Sequence, residues 1–235
     1  MATTILPAPS EGIAPVGAGD PFKFALATDF MEQYPGDWPP RQYYVDLLAT
    51  DYLQDELRAL VDARSAETEV DRFLREHPAI LAASIRGTGF GHHGSWVIPQ
   101  KAIRAPGTAT ERGLIPDYIV GGTSSDGFVW YVVELKGVNQ TLFAHRKDGR
   151  LSLSPVANSG ICQLLEYVDY CSAQQSYLRD AMKLTAFREP RGLLIIGHEQ
   201  EFGTDIRRAR MKASLNRALG GRIEVRTYGA LLRGR

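Results

Sequence analysis

Asp117, Glu134 and Lys136 are the residues whose types and spacing could do chemistry. Asp117 follows Pro116 in Leu114-Ile-Pro-Asp-Tyr-Ile-Val-Gly-Gly122, and Glu134 and Lys136 close the run Phe128-Val-Trp-Tyr-Val-Val-Glu-Leu-Lys-Gly137. Both runs are rich in β-branched and aromatic residues, and Thr123-Ser-Ser-Asp-Gly127 between them is turn-forming, so they read as two strands of a hairpin. Alternation along a strand points Glu134 and Lys136 the same way, and an antiparallel neighbour can bring Asp117 alongside them. Three charged groups at the end of a buried sheet are costly unless they are paired or bind a cation. The chemistry they suit is metal-assisted phosphodiester hydrolysis. Asp117, Glu134 and the backbone carbonyl of Leu135 offer oxygen ligands to Mg²⁺ (or Mn²⁺), a hard cation that keeps several waters. Such a cation polarises the phosphate and helps ionise a bound water, while Lys136 orients that water or stabilises charge in the transition state. The competing reading makes Asp117 a strand-entry residue and Glu134–Lys136 a surface ion pair. Against it, Val129 to Val133 is apolar on both faces, as in a central strand covered on two sides.

The elements that must hold these groups need a chain able to bury a core. The 235 residues, 44% of them hydrophobic, fit one catalytic domain with an extra segment. Net charge is zero, which excludes a uniformly basic nucleic-acid binder, but the charges are unevenly spread. Residues 1–85 carry a net −8, residues 86–185 a net +2, and residues 186–235 a net +6. Contacts to DNA are therefore expected from the C-terminal part. Cys162 and Cys171 fall within one expected helix and read as reduced core residues. No stretch is long and apolar enough to span a membrane, and Met1-Ala-Thr-Thr-Ile-Leu-Pro7 lacks the features of a signal peptide. The expected compartment is the cytoplasm.

Residues 1–20, rich in Pro, Gly and Ala, read as a flexible tail. Residues 21–64 form an aromatic and helical extension, with Phe22, Phe24, Phe30, Tyr34, Trp38, Tyr43 and Tyr44 too apolar for a free tail. That stretch packs on the domain, on a sister subunit or on a partner. Leu47, Leu48, Tyr52, Leu53, Leu57 and Leu60 recur at helical spacing from Tyr44 to about Arg64. A second helix begins near Ser65, with Val70, Phe73 and Leu74 inward, and ends near His77-Pro78. Glu67 shares that inward side and Glu69 sits at its edge, so either can supply a third carboxylate. The alternative is that Ser65 caps the helix and both are exposed first-turn acids.

Gly87 to Gly94 reads as a loop, in which His92 and His93 are surface residues, and Ser95 to Ile103 as a strand. After the central strands, Asn139 to Leu153 reads as a loop whose Arg146 and Lys147 can touch a phosphate backbone, or be merely solvated. A helix over about Pro155–Ser172 buries Ile161, Leu164, Leu165, Val168 and Cys171, with Gln163 and Tyr167 on a separate stripe toward the site. Arg191-Gly-Leu-Leu-Ile-Ile-Gly197 reads as a buried strand. A helix over 201–219 sets Arg207, Arg210 and Arg217 on one face, either a DNA-facing ridge or a solvated face. Arg222-Ile-Glu-Val-Arg-Thr227 is a last strand. The order implies an α/β domain with a mixed central sheet flanked by helices.

Pro116-Asp117, Glu134-Leu-Lys136 and Gln163-x-x-x-Tyr167 together resemble the PD-(D/E)xK nuclease superfamily, whose fold is restriction-endonuclease-like. Phe73-Leu-Arg-Glu-His-Pro78, Trp130-Tyr-Val-Val-Glu-Leu-Lys-Gly137, Gln163-Leu-Leu-Glu-Tyr-Val-Asp-Tyr170, Arg191 to Gly197 and Thr227-Tyr-Gly-Ala-Leu-Leu232 look like the Shedu antiphage nuclease domain, over about residues 65–232. The resemblance implies a bacterial antiviral defence endonuclease, a hydrolase that nicks or cuts double-stranded phage or plasmid DNA with a divalent metal, often as a homo-oligomer. It carries Asp117, Glu134 and Lys136 over as the catalytic core, Gln163 as its helix partner, and Glu67 or Glu69 as the helix acid. Tyr228-Gly229 departs from the family pattern, in which acidic residues usually follow the tyrosine. Residues 1–64 match no known pattern and can serve a partner through 21–64. The alternatives are a catalytically silent nuclease fold that binds DNA or regulates a partner, and a restriction or repair nuclease of the same fold.

Overall fold

The computed structural model describes residues 34–45, 53–86, 93–104, 114–203 and 205–233. The expected tail over 1–20, most of the aromatic stretch and His92 lie outside them. The chain divides into two compact units, Met1–Asp37 and Trp38–Arg235. Of the first, only a turn over residues 34–37 is described.

The second unit is built on a six-stranded mixed sheet of order β1-β2-β3-β4-β7-β8. These strands are β1 (Tyr44–Val45), β2 (Gly94–Pro99), β3 (Tyr118–Ser124), β4 (Gly127–Lys136), β7 (Arg191–Ile196) and β8 (Ile223–Arg226). The β1–β4 half is antiparallel, and β7 and β8 are added parallel to β4. Parallel addition needs crossovers. Helix α4 (Pro155–Ala173) provides the one from β4 to β7 and helix α7 (Ile206–Ala218) the one from β7 to β8. The hairpin read from the sequence is present, with Tyr118 opposite Val133 and Ser124 opposite Gly127. Gly121 faces Trp130 across it, and a Cβ there would lie 2.4 Å from the Trp130 ring. The indole therefore lies on the backbone of its neighbour, where only glycine leaves room.

β4 is central and covered on both faces, as its apolar run requires. Tyr131, Val133 and Leu135 pack with helices α1 (Leu53–Asp62), α2 (Glu67–Glu76) and α3 (Pro78–Arg86), and with the C-terminal 3-10 turn Tyr228–Arg233. Trp130 and Val132 face the opposite layer, with Leu164, Cys171, Leu194 and Ile196. α4 starts on Ser154, whose hydroxyl accepts from Ala157 N–H, and on Pro155 at its first position.

Several local expectations are corrected. Tyr44 and Val45 form an edge strand, and helix α1 begins only at Leu53. Trp38 and Tyr44 pack edge-on against Trp96 at 5.3 and 5.8 Å, so this part of the aromatic stretch lies on the chain's own domain. Pro78 ends α2 but also begins α3, because proline suits a first helical position. The expected loop over Asn139–Leu153 contains a second hairpin, β5 (Phe143–His145) with β6 (Leu151–Leu153), anchored by buried Leu142, Phe143 and Leu151. The strand expected over Ser95–Ile103 stops at Pro99, and Ile103 makes only an isolated bridge with Leu114. The helix expected over 201–219 is two, α6 (Gln200–Gly203) and α7, and Asp205 caps α7. Leu165 is exposed rather than buried, and Cys162 is exposed while Cys171 is buried; both thiols are free. Among the described residues, no helix is long and apolar enough to cross a membrane.

Candidate active site

The site forms where β3 runs out and β4 continues. The last ladder pair is Tyr118 with Val133, so Asp117 stands opposite Glu134 and Pro116 opposite Leu135. The Asp117 carbonyl accepts from Gln100 N–H at 2.8 Å on the β2 side, which turns the Pro116 backbone toward β4. Proline has no N–H, so it cannot donate to the Leu135 carbonyl across the pair. The Leu135 N–H donates instead to Asp117 Oδ2 at 2.8 Å. A residue's N–H and C=O leave a strand on the same edge, so the Leu135 carbonyl lies on the edge where Asp117 sits. The Pro-Asp dipeptide thus ends the ladder and delivers a carboxylate to the gap.

Glu134 is 4% exposed and Lys136 donates from Nζ to Glu134 Oε1 at 2.7 Å. Both point to the α4 side, as alternation requires. Gly160 of α4 lies below them: a Cβ there would stand 2.8 Å from Leu194 Cδ1 and 3.3 Å from Lys136 Cε. The lysine stem uses the space that the glycine leaves. From the same helix Gln163 is half-buried, and its Oε1 is enclosed with no hydrogen-bond partner. Buried amide oxygens are rarely left so without reason.

The third acid is Glu67, the first residue of α2. Its backbone N lies 3.5 Å from where a Cβ on Gly137 would stand, and Lys136, Asp117 and Asp71 act on its carboxylate electrostatically. Glu69 is exposed and its Oε2 accepts from Ala66 N–H at 3.3 Å, so it closes the start of the helix instead. Ala66 takes the cap position expected for Ser65. Asp71, one turn beyond Glu67, was not singled out by the sequence. It accepts from Tyr118 OH at 2.7 Å and pairs with Arg75 at 2.5 Å.

The carboxyls hold their protons more tightly than usual. Burial raises Glu134 to about 7, with the charge of Asp117 adding to it and Lys136 opposing. Burial also raises Asp117, against the bond from Leu135 N–H, and raises Glu67. Like charges held together out of water behave this way when no cation balances them.

Among the described residues, no three acid, histidine or cysteine side chains converge closely enough to hold a metal ion. The donors at hand are all oxygens: two carboxylates, the Leu135 carbonyl and the orphaned Gln163 amide oxygen. That set fits a hard cation that keeps several of its own waters, and does not fit a closed protein cage.

Of the residues expected to meet DNA, Tyr167 is buried, and its hydroxyl donates to Ile115 O at 3.2 Å, two residues before Asp117. It steadies the strand entry rather than facing solvent. Arg146 and Lys147 are exposed on the tip of the β5–β6 hairpin. Arg207 donates to Gly149 O at 3.1 Å, which brings the start of α7 to the same tip, with Arg210 exposed one turn on. Arg217 is ten residues further along α7. It lines a cleft with Arg191 at the opposite end of β7, away from the site. Beside the site, the segments after β4 and β7 enclose a cleft of about 330 Å³ lined by Arg64, Asn139, Gln140, His145, His198 and Arg208 among others. Glu201 shapes its wall, accepting from Leu142 and Phe143 N–H at 2.8 and 2.9 Å and from Arg208 at 2.7 Å.

Residues 64–232 match the family described as Shedu protein SduA, C-terminal. No curated protein matches the chain.

Proposed function

From the premise that this chain belongs to the Shedu SduA C-terminal family, and so to antiphage defence, we propose that it is a divalent-metal-dependent DNA endonuclease of restriction-endonuclease-like, PD-(D/E)xK fold. The observation that carries this reading is the gap at the end of β3. There Pro116 withholds a ladder donor, and Asp117, Glu134 and Lys136 stand together on a buried strand end. Surface ion pairs do not occupy such positions, and buried carboxylates raised toward neutral pH are common at sites of chemistry.

Asp117, Glu134 and the Leu135 carbonyl would hold Mg²⁺ or Mn²⁺, with Glu67 and Gln163 at its margin. When bound, the cation supplies Lewis acidity toward the scissile phosphate and a water of lowered pKa. Asp117, fixed by Leu135 N–H, keeps one oxygen in a set direction. Glu134 gives its charge to the site, which frees Lys136 from an exclusive pairing with it. The Lys136 ammonium, its stem seated against Gly160, then reaches the phosphate or the attacking water and favours the charge that develops there. Gln163 accepts or donates at the same place. Arg146, Lys147, Arg207 and Arg210 supply a cationic rim for the backbone of double-stranded DNA. Action as a homo-oligomer, in the cytoplasm and on phage or plasmid DNA, belongs to the same proposal.

The test is incubation of the purified chain with supercoiled and linear DNA, with Mg²⁺, Mn²⁺ or EDTA. Metal-dependent nicking or cutting that disappears in Asp117→Ala is expected. Undiminished cleavage by Asp117→Ala and by Glu134→Ala would sink the site assignment. A second reading, a silent nuclease fold that only binds DNA, draws on the closed Glu134–Lys136 pair. It predicts metal-independent DNA binding and no cleavage under any of these conditions.

A further inference from the structure

Tyr118 is the first residue of β3, directly after Asp117, and its ladder partner is Val133. It is 0% exposed on the face of the sheet that α1–α3 cover, whereas Asp117 lies with Ile119 on the α4 face. A tyrosine buried this deeply needs a partner for its hydroxyl. The hydroxyl donates to Asp71 Oδ1 at 2.7 Å and to the Asp71 carbonyl at 3.1 Å, so both acceptors belong to one residue of α2. Arg75, one turn further along α2, donates from Nε to Asp71 Oδ2 at 2.9 Å, which leaves Oδ1 for the tyrosine. Asp117 makes two bonds of its own: its carbonyl accepts from Gln100 N–H and its Oδ2 from Leu135 N–H, both at 2.8 Å. Successive side chains of a strand stand on opposite faces of one backbone built from planar peptide units. A roll of the strand end that carried Asp117 off Leu135 N–H would therefore also swing the Tyr118 hydroxyl off Asp71. Pro116, with no N–H, gives β4 no donor to resist that roll.

We propose that Tyr118, held by Asp71 and Arg75, is a positioning residue for Asp117. Its two hydroxyl bonds set the roll of the strand end, and so keep the Asp117 carboxylate on Leu135 N–H with its other oxygen turned to the place where a cation would be held. The use of that carboxylate rests on the metal-nuclease reading, whereas its positioning does not. Asp71 and Arg75 thereby serve the site from the opposite face of the sheet, without touching substrate or cation.

Two measurements on the full chain test this separately. In EDTA, NMR hydrogen exchange follows the Leu135 amide, with the Ile195 amide on β7 as reference. Tyr118→Phe, which keeps the ring, should speed Leu135 exchange about 10-fold relative to Ile195, the scale of one lost hydrogen bond. Asp71→Ala should do the same, and Asp71→Asn, whose amide oxygen still accepts from Tyr118, should stay near wild type. A merely structural loss, as in Val61→Ala within buried α1 packing, speeds both amides alike. An unchanged Leu135-to-Ile195 ratio in Tyr118→Phe and Asp71→Ala overturns the positioning of Asp117. Titration with MnCl₂ by calorimetry then reads what the position is for. Tyr118→Phe should weaken Mn²⁺ binding about 10-fold, the scale of a lost outer partner, while Val61→Ala binds as wild type does. Wild-type Mn²⁺ affinity in Tyr118→Phe overturns the role toward the cation. A wild-type chain that binds no Mn²⁺ overturns the nuclease reading, and the exchange measurement in EDTA still decides the positioning itself.

Discussion

Removing the charge of Glu134 should make the metal-free protein more stable while abolishing its activity. Burial and the nearby Asp117 charge raise this carboxyl from the ordinary 4.5 to about 7. Between those values the folded chain holds more protons than the unfolded one, so stability is highest at low pH and falls as pH rises through about 7. At about 1.4 kcal/mol for each tenfold change in proton affinity, the full loss is about 3 kcal/mol. Glu134→Gln removes it, since the amide does not ionise and still offers Lys136 an acceptor in place of the 2.7 Å bond. The opposing pull of Lys136 is already contained in the value of about 7, so the net gain is about 3 kcal/mol at pH 9. Urea unfolding in EDTA from pH 5 to 9 measures it. The two proteins should be closest in stability near pH 5, diverge between pH 5 and 7 in favour of Glu134→Gln, and differ by a constant amount above that. A smaller downward slope should remain in the variant, because Glu67 and Asp117 are raised in the same direction. A variant that is less stable than wild type at pH 9, or that keeps the full slope, would refute the reasoning.

Other consequences can be checked by simpler means. Neutralising Arg146, Lys147, Arg207 and Arg210 together should weaken DNA binding across all sequences and reduce its salt slope by up to about 4, roughly one per lost phosphate contact, whereas Arg217→Gln alone should leave both nearly unchanged. Gly160→Val should displace Lys136 and Leu194, destabilising the chain by about 1–3 kcal/mol and slowing cleavage more than it weakens DNA binding, as single-turnover rates and Kd would show. Tyr167→Phe should keep the fold but slow cleavage, because Ile115 loses the donor that steadies the approach to Asp117; unchanged rates would confine Tyr167 to packing.

What could be read from the sequence was what strong local patterns determine. The long apolar run ending at Lys136 and its turn implied the hairpin and its pairing, and the helical period over Pro155–Ala173 was equally clear. Short elements were not readable. The three-residue strands of the second hairpin carry a charged tip, and Tyr44–Val45 is too short an edge strand to show a period beside the leucines that follow. Asp117, Glu134 and Lys136 could be singled out because one strand and its neighbour hold all three. The choice between Glu67 and Glu69 could not be made, since it depends on which acid turns back to Ala66 and which comes under the charges of Lys136 and Asp117. Asp71 and Gly160 come to the site only through packing of α2 and α4 against the sheet. The sequence places them far from the strand ends that they meet.

Single-turnover cleavage by Lys136→Met, measured alongside its Mn²⁺ titration, tests the central claim most directly. If Lys136 acts on the attacking water or the developing charge, the variant should bind Mn²⁺ and DNA as wild type does but lose about 10²–10³-fold in rate. Lys136→Arg should not restore it, because a planar fork cannot take the place of a compact ammonium beside Gly160. Near-wild-type cleavage by Lys136→Met would contradict the account.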